Sequence, residues 1–454
     1  MKEIKNVQRP ELKTSLPGPK SRELMKFRDE YVPEAIYKIT PIFIKRGEGA
    51  VVEDVDGNML LDFASGISVL NIGYSHPELV QAVKEQAEKF FHSCFNVLPY
   101  ESYVQLAKML CEVTPGDFKK KAFFVNSGAE AIENAIKLAR KFTGKSDIIC
   151  FEGCFHGRTL LTSSLNSRVK PFAFGFGPLV SGIHKLPFAY CYRCAYGLNI
   201  SNCNFRCAER LNEILQTVTI PENVAVVLLE PIQGEGGFIV PPDGFIEKIK
   251  QICEENNILL IADEIQSGFC RSGKMFASEY WSVAPDIIAT AKSIAGGLPL
   301  AAVIARSDIM DSVHKAGAGG TFGGNPLSCV AGIKVIEVMK RDNFAKKAQE
   351  IGNKILNFLN NIKDQYDIIG DVRGRGAMIG FELISDSKTK TPSSRARNII
   401  VEECYKNGLI IIGAGLYDNF IRILSPLIAS EEQVEEALKI IERAISKANI
   451  NMAS

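Results

Sequence analysis

Two charged residues stand where a folded chain seldom leaves a charge. Lys292 lies between the apolar run 287–291 and Ser293-Ile294-Ala295-Gly296-Gly297, and Asp263 follows Ile258-Leu259-Leu260-Ile261-Ala262 directly. A carboxylate delivered off a buried strand is costly unless paired, so Asp263 needs a cationic partner. An amine at such a position is rare unless it is paired or reactive. Three further apolar runs end in polar, glycine-rich segments. Residues 123–125 lead into Asn126-Ser127-Gly128-Ala129-Glu130, where Ser127 and Glu130 have capping-box spacing and Gly128 permits close approach to the backbone. A helix starting there presents N–H groups suited to a phosphate, although a plain capped helix explains the pentapeptide equally well. The run 147–151 leads into Glu152-Gly153-Cys154-Phe155-His156-Gly157-Arg158, which supplies a ring able to stack, an imidazole and a guanidinium. The run 224–229 leads into Glu230-Pro231-Ile232-Gln233-Gly234-Glu235-Gly236-Gly237, two carboxylates beside a glycine turn.

Each signal is weak singly. Together, phosphate donors, a stacking ring, carboxylates, an anion and an amine answer the needs of pyridoxal phosphate, whose ring, pyridine nitrogen, phosphate and aldehyde each require one of them.

The elements that must position these residues alternate. Residues 123–125, 147–151, 224–229 and 258–262 read as short buried strands, separated by helical-period segments at 129–142, 243–255 and 326–340. That order predicts an α/β fold with a mostly parallel sheet covered by helices, and open sheets of this kind bind ligands beyond the carboxyl ends of their strands. The last hundred residues differ. Gly370-Asp371-Val372-Arg373-Gly374-Arg375-Gly376 precedes a strand at 377–383, and 431–447 reads as an amphipathic closing helix, together a smaller α+β domain. The expected division is 1–75 as an N-terminal contribution to the small domain, 76–338 as the large cofactor-binding domain and 339–454 as the C-terminal small domain.

Composition narrows the setting. The 454 residues carry 53 Lys+Arg against 52 Asp+Glu, so no overall basic field recruits nucleic acid or an anionic membrane. The N-terminus lacks an apolar segment after its charges, and no apolar run approaches the ~20 residues of a spanning helix, so a cytoplasmic protein is expected. Eight of the twelve cysteines are scattered through apolar segments, as buried reduced thiols would be. The other four, Cys191, Cys194, Cys203 and Cys207, have C-x2-C-x8-C-x3-C spacing and suit either a metal site or a loop of free thiols. Gly144-Lys145-Ser146 lacks the upstream glycine of a P-loop, and the glycine spacing at 374–380 is wrong for a dinucleotide fingerprint. A non-catalytic binding protein on the same fold is disfavoured by Lys292 and Asp263 occurring together.

The chain resembles the class III pyridoxal-phosphate aminotransferases over nearly its whole length. The resemblance is carried by Asn126-Ser127-Gly128-Ala129-Glu130-Ala131, Phe155-His156-Gly157-Arg158-Thr159, the 230–237 segment, Asp263-Glu264-Ile265-Gln266-Ser267-Gly268, Lys292-Ser293-Ile294-Ala295-Gly296-Gly297 and Thr321-Phe322-Gly323-Gly324-Asn325-Pro326. It implies the fold-type I transferase architecture and a homodimer or dimer of dimers. It also implies that Lys292 binds the cofactor covalently, Asp263 pairs with the pyridine nitrogen, Gln266 reaches the phenolic oxygen and Phe155 stacks on the ring. Gly128 and Ala129 would hold the phosphate with Thr321 of the partner subunit, and Ser127, His156 and Glu230 would complete the cofactor's surroundings.

Within the family the members acting on 4-aminobutyrate are most similar, through Ser65-Gly66-Ile67-Ser68-Val69-Leu70-Asn71, His92-Ser93-Cys94-Phe95 and Arg422-Ile423-Leu424-Ser425-Pro426. The implied reaction is transamination of 4-aminobutyrate or a similar ω-amino acid with 2-oxoglutarate. Arg158 would grip the carboxylate remote from the reacting carbon, Ile67 would line the apolar wall, and Glu235 would neutralise Arg422 until the 2-oxo acid displaces it. The segment 191–207 looks like one in archaeal relatives that include amino-acid racemases of the same fold. Racemisation and an ornithine- or 5-aminovalerate-type donor therefore stand as alternatives.

Overall fold

Val224–Leu229 is apolar at all six positions and buried along its whole length. Such a strand has both faces covered, which places it inside a sheet flanked by helices. The computed structural model describes residues 4–453 and divides into two units, Glu78–Ala345 and the discontinuous pair Met1–Pro77 with Lys346–Ser454.

In the unit Glu78–Ala345 seven strands form one sheet: β1 (Lys120–Val125), β2 (Asp147–Phe151), β3 (Ile183–Leu186), β4 (Val224–Leu229), β5 (Leu259–Asp263), β6 (Ile287–Thr290) and β7 (Ala301–Arg306). Their order is β1-β7-β6-β5-β4-β2-β3, and β7 alone runs antiparallel to its neighbours. The mostly parallel sheet expected from the βα alternation is therefore present. Helix α1 (Gly128–Thr143) packs on β7, β6 and β4 through a stripe of Ala131, Ile132, Ala135, Ile136, Leu138 and Ala139. Each larger side chain of that stripe stabilises the unit by roughly 1.5–3 kcal/mol on burial. The helix ends where Gly144 takes a left-handed conformation at φ 71°.

The other unit holds an antiparallel sheet in the order β8 (Ile369–Arg375), β9 (Met378–Asp386), β11 (Phe420–Ile423), β10 (Ile412–Ala414). The glycine- and arginine-rich 370–376 segment, read as a lead-in to a strand, is itself strand β8. Gly374 makes this possible: its φ is 146°, and a Cβ there would meet the Met378 carbonyl oxygen at 2.1 Å. A second small sheet is formed by Ile44–Glu48, Val51–Asp54 and Met59–Asp62 with the parallel strand Leu409–Ile410. The closing helix, α2 (Glu431–Ala453), packs against Ser394–Lys406. Among the described residues no helix is long and apolar enough to cross a membrane.

Candidate active site

Parallel strands deliver their last residues to one edge. Register aligns Leu229 with Ala262 and Asp263 with Ala289, so Glu230, Asp263 and the residues after Thr290 emerge side by side. Ile149 pairs with Val227, which brings the turn after Phe151 to the same edge. Because β7 reverses between β1 and β6, the end of β1 also points that way, with Val125 opposite Ala301.

At the centre of that edge the need of Asp263 for a cationic partner is met. His156 Nδ1 donates to Asp263 Oδ2 at 2.7 Å, and both side chains are almost wholly buried. The other oxygen, Oδ1, accepts the Ile265 N–H at 3.1 Å, so the carboxylate is held in one orientation. Burial alone would push the imidazole pKa down, but the Cys154 sulfur and the Asp263 carboxylate beside it win, and it stands well above its ordinary value. His156 in turn is fixed by Asn166, whose Oδ1 accepts the His156 N–H at 2.8 Å and whose Nδ2 donates to the Gly157 carbonyl at 2.7 Å. Glu230 lies close by. Its two oxygens accept N–H groups of Phe155 (2.9 Å) and Gly234 (2.8 Å), and burial pushes its carboxyl up to about 7. The adjacent acid Glu264 does a different job, accepting from Ser267, Ala277 and Ser278 in the loop beyond.

The start of α1 has the capping box expected of it. Glu130 N–H donates to Ser127 Oγ at 3.3 Å, and Glu130 Oε2 accepts the N–H groups of Ser127 (3.2 Å) and Asn126 (2.5 Å). The Ser127 hydroxyl is thus engaged in the cap, while the first N–H groups of the helix, those of Gly128 and Ala129, have no intrahelical acceptor. Ser127→Ala is expected to lower the unfolding free energy by about 1 kcal/mol, measurable by thermal or denaturant melts. The floor of this helix start is crowded: a Cβ at Gly128 would meet Ile265 Cδ1 at 2.8 Å, and one at Gly157 would meet the Ala129 Cβ at 2.7 Å.

Lys292 opens the short 3-10 turn Lys292–Ala295 after β6, with φ 50°. Left-handed backbone in a residue other than glycine is uncommon and marks places where function holds the chain in strain. Gln266 is buried, and its amide fills the space over Gly234, where a Cβ would meet it at 2.8 Å. The Phe155 ring lies 4.7 Å from that of Phe172, and the exposed guanidinium of Arg158 rests within 5.6 Å of both ring centres. Glu235 is half-buried in the turn after β4, and Thr321 is exposed beside Phe322, whose ring lies 4.9 Å from His92.

Two of the expected substrate residues belong to the other unit. Ile67 has φ 65° within Ser65–Ser68, a segment left-handed at all four positions, which is strained for a β-branched side chain. Arg422 is buried on β11, and its Nη2 donates to the Gly413 carbonyl at 3.0 Å. The four clustered cysteines are free thiols, and among the described residues no three His, Cys, Asp or Glu side chains form a ready metal-binding group. Asn166 and Cys154 are the residues that sequence reasoning missed. Cys154 lies inside the 152–158 segment but has no polar character of its own, and Asn166 lies in none of the segments, so only the fold reveals that they back His156.

Residues 33–445 match the family described as aminotransferase class-III. The 4-aminobutyrate aminotransferase of Mycobacterium leprae is 43% identical over 96% of this chain and 98% of its own length, and that of Escherichia coli 41% identical over 94% and 99%. The 5-aminovalerate aminotransferase of Pseudomonas putida is 40% identical over 94% and 99%. Among solved structures, taurine:2-oxoglutarate aminotransferase of Bifidobacterium kashiwanohense, in complex with PLP and glutamate, superposes with a TM-score of 0.89 at 29% identity, covering 95% of this chain and 99% of its own. A lysine and a paired aspartate at one sheet edge, a capped helix beside them and relatives matching from end to end lead to one assignment: this chain belongs to the class-III aminotransferase family.

Proposed function

We propose that the chain transfers the amino group of 4-aminobutyrate, or of an ω-amino acid close to it in length, to 2-oxoglutarate, with pyridoxal phosphate as cofactor. The observation that carries the reading is the end-to-end likeness, at 40% identity or more, to several enzymes named for 4-aminobutyrate. The donor set supports the cofactor. Open N–H groups at the start of α1 and a buried, oriented carboxylate at the end of β5 suit a phosphate and a pyridine nitrogen. When bound, the cofactor supplies an aldehyde that exchanges amines and a ring that draws electron density from the breaking C–H bond.

On this reading the unit Glu78–Ala345 is the cofactor domain. Gly128 and Ala129 donate to the phosphate, joined by Thr321 of the partner subunit in a homodimer. Phe155 covers one face of the ring, Gln266 faces the phenolic oxygen, and Asp263 keeps the pyridine nitrogen protonated while His156 holds the carboxylate in place. Lys292 would hold the cofactor through its side-chain amine, and that amine would carry the proton taken from the substrate carbon. Arg158 receives the distal carboxylate of either substrate, and Ile67 forms the apolar wall. Glu235 masks Arg422 for the amino donor and releases it for the α-carboxylate of 2-oxoglutarate. A bidentate guanidinium–carboxylate pair has the directionality this exchange needs. The enzyme is proposed to work in the cytoplasm.

A donor panel with 2-oxoglutarate, run beside chiral analysis of α-amino acids, tests the reading. Succinic semialdehyde and glutamate without inversion support it; inversion without net amine transfer makes the chain a racemase and overturns it. The likeness to the 5-aminovalerate enzyme favours including that donor, since one methylene in an apolar pocket discriminates by only about 1–3 kcal/mol. The switch has its own signature. Glu235→Ala is expected to lower efficiency with 4-aminobutyrate while improving α-amino donors such as alanine. Arg422→Ala is expected to weaken 2-oxoglutarate by about 10–100-fold and 4-aminobutyrate far less. Single-turnover measurements of each half-reaction separate these effects, and equal losses for both substrates in both variants would reject the switch.

A further inference from the structure

Four thiols without a part in this chemistry lie on one segment of the unit Glu78–Ala345. Between β3 and the helix Arg206–Thr217 the backbone has only the short 3-10 turn Cys191–Arg193 as regular structure. An irregular stretch of that length inside a compact unit is unusual unless it is functional or tied down. No disulfide ties it, since all its cysteines are free. Cys191, Cys194, Cys203 and Cys207 instead line a single cavity of about 20 Å³, with Arg206 in the same wall. Cys191 is within electrostatic reach of Cys194 and Cys203, and Cys207 of Cys191 and Cys203.

The local backbone is arranged around the sulfurs. Asn204 (φ 44°) and Phe205 (φ 52°) are both left-handed, a costly conformation for a bulky aromatic residue, and they turn the chain sharply between Cys203 and Cys207. Cys207 lies in the first turn of its helix.

We propose that Cys191, Cys194, Cys203 and Cys207 bind one zinc ion per chain, in a structural site that clamps this segment against the sheet. Both the C-x2-C and the C-x3-C pair fall within the spacing that zinc ligand pairs use, and four thiolates complete a closed tetrahedral site. The four thiols release four protons as the ion binds, leaving two net negative charges on the site. Among the described residues the sulfurs are not at coordination distance, so the ion draws them inward, as happens where metal binding and local folding are coupled.

The test uses the full-length protein purified under reducing, chelator-free conditions. Elemental analysis is expected to find about one zinc per chain, and the Cys194→Ser and Cys207→Ser variants to carry roughly tenfold less, while Cys94→Ser keeps it. Cobalt in place of zinc should give the intense visible bands of a tetrahedral thiolate site. Because a misfolded variant would also lose metal, the wild-type protein is examined by thiol alkylation and peptide mapping. The four named cysteines should be protected with zinc bound and become reactive after chelation. Zinc retained by both serine variants, disulfides among the four in anaerobically purified protein, iron with labile sulfide, or failure of added zinc to bind and protect these thiols would each overturn the proposal. None of these readouts depends on which amino donor the enzyme uses.

Discussion

Lys292→Ala is expected to abolish multiple turnover, lowering kcat by about 10⁴-fold or more. Within the proposed function this amine both binds the cofactor and moves the proton, and among the described residues no other lysine lies within two positions after a strand at this edge. The loss should be chemical rather than structural. Alanine removes only the side chain from a half-buried position whose φ of 50° the surrounding turn already enforces, so the far-ultraviolet spectrum and melting temperature should change little. Cofactor should still associate through the phosphate contacts of α1 but without the absorbance of its lysine-bound form. Substantial steady-state turnover by the purified variant, with no amine added, would mean that another lysine does this work.

Asp263→Asn is expected to cost nearly as much, about 10²–10⁴-fold in kcat, since a neutral amide cannot hold a proton on the pyridine nitrogen. This substitution also has a stability signature that the lysine variant lacks. The His156 pKa is raised in the folded protein above its ordinary 6.5, with Asp263 as one of the causes. A group raised in this way contributes stability that is fully present below 6.5 and is lost as pH rises through the raised value. Removing the carboxylate leaves a buried imidazolium unpaired at low pH, a cost of about 3–5 kcal/mol when a buried pair is broken. The melting temperatures of wild type and Asp263→Asn, measured without cofactor, should therefore differ most below pH 6.5 and converge in the alkaline range. A constant difference across that range would show that the pairing with His156 does not govern the stability of this site.

How much of the site was legible beforehand follows from how local its causes are. Ser127 and Glu130 satisfy each other's orphan groups three residues apart, so the cap could be read from the pentapeptide. Asp263 could be recognised as needing a cation because the strand before it is wholly apolar, but its partner could not be chosen. His156 lies 107 residues away, and Arg158, Lys292 and Arg422 of the same motifs were equally eligible by type. Strand β8 escaped notice because its glycines and arginines break the apolar alternation by which strands are recognised, and its pairing with β9 is what makes it a strand.

By itself, then, the sequence determined the parallel strands other than β3, the helix start above them and the chemical types arriving at their ends, because hydrophobic runs and capping residues act within a few positions of one another. The tertiary structure alone decided the reversed direction of β7, the clamp of Asn166 on the His156 turn, and the left-handed backbone at Ile67 and Lys292. These depend on register and on contacts between residues far apart in the chain. Such contacts form only when many buried surfaces are satisfied at once, and no short stretch of residues encodes them.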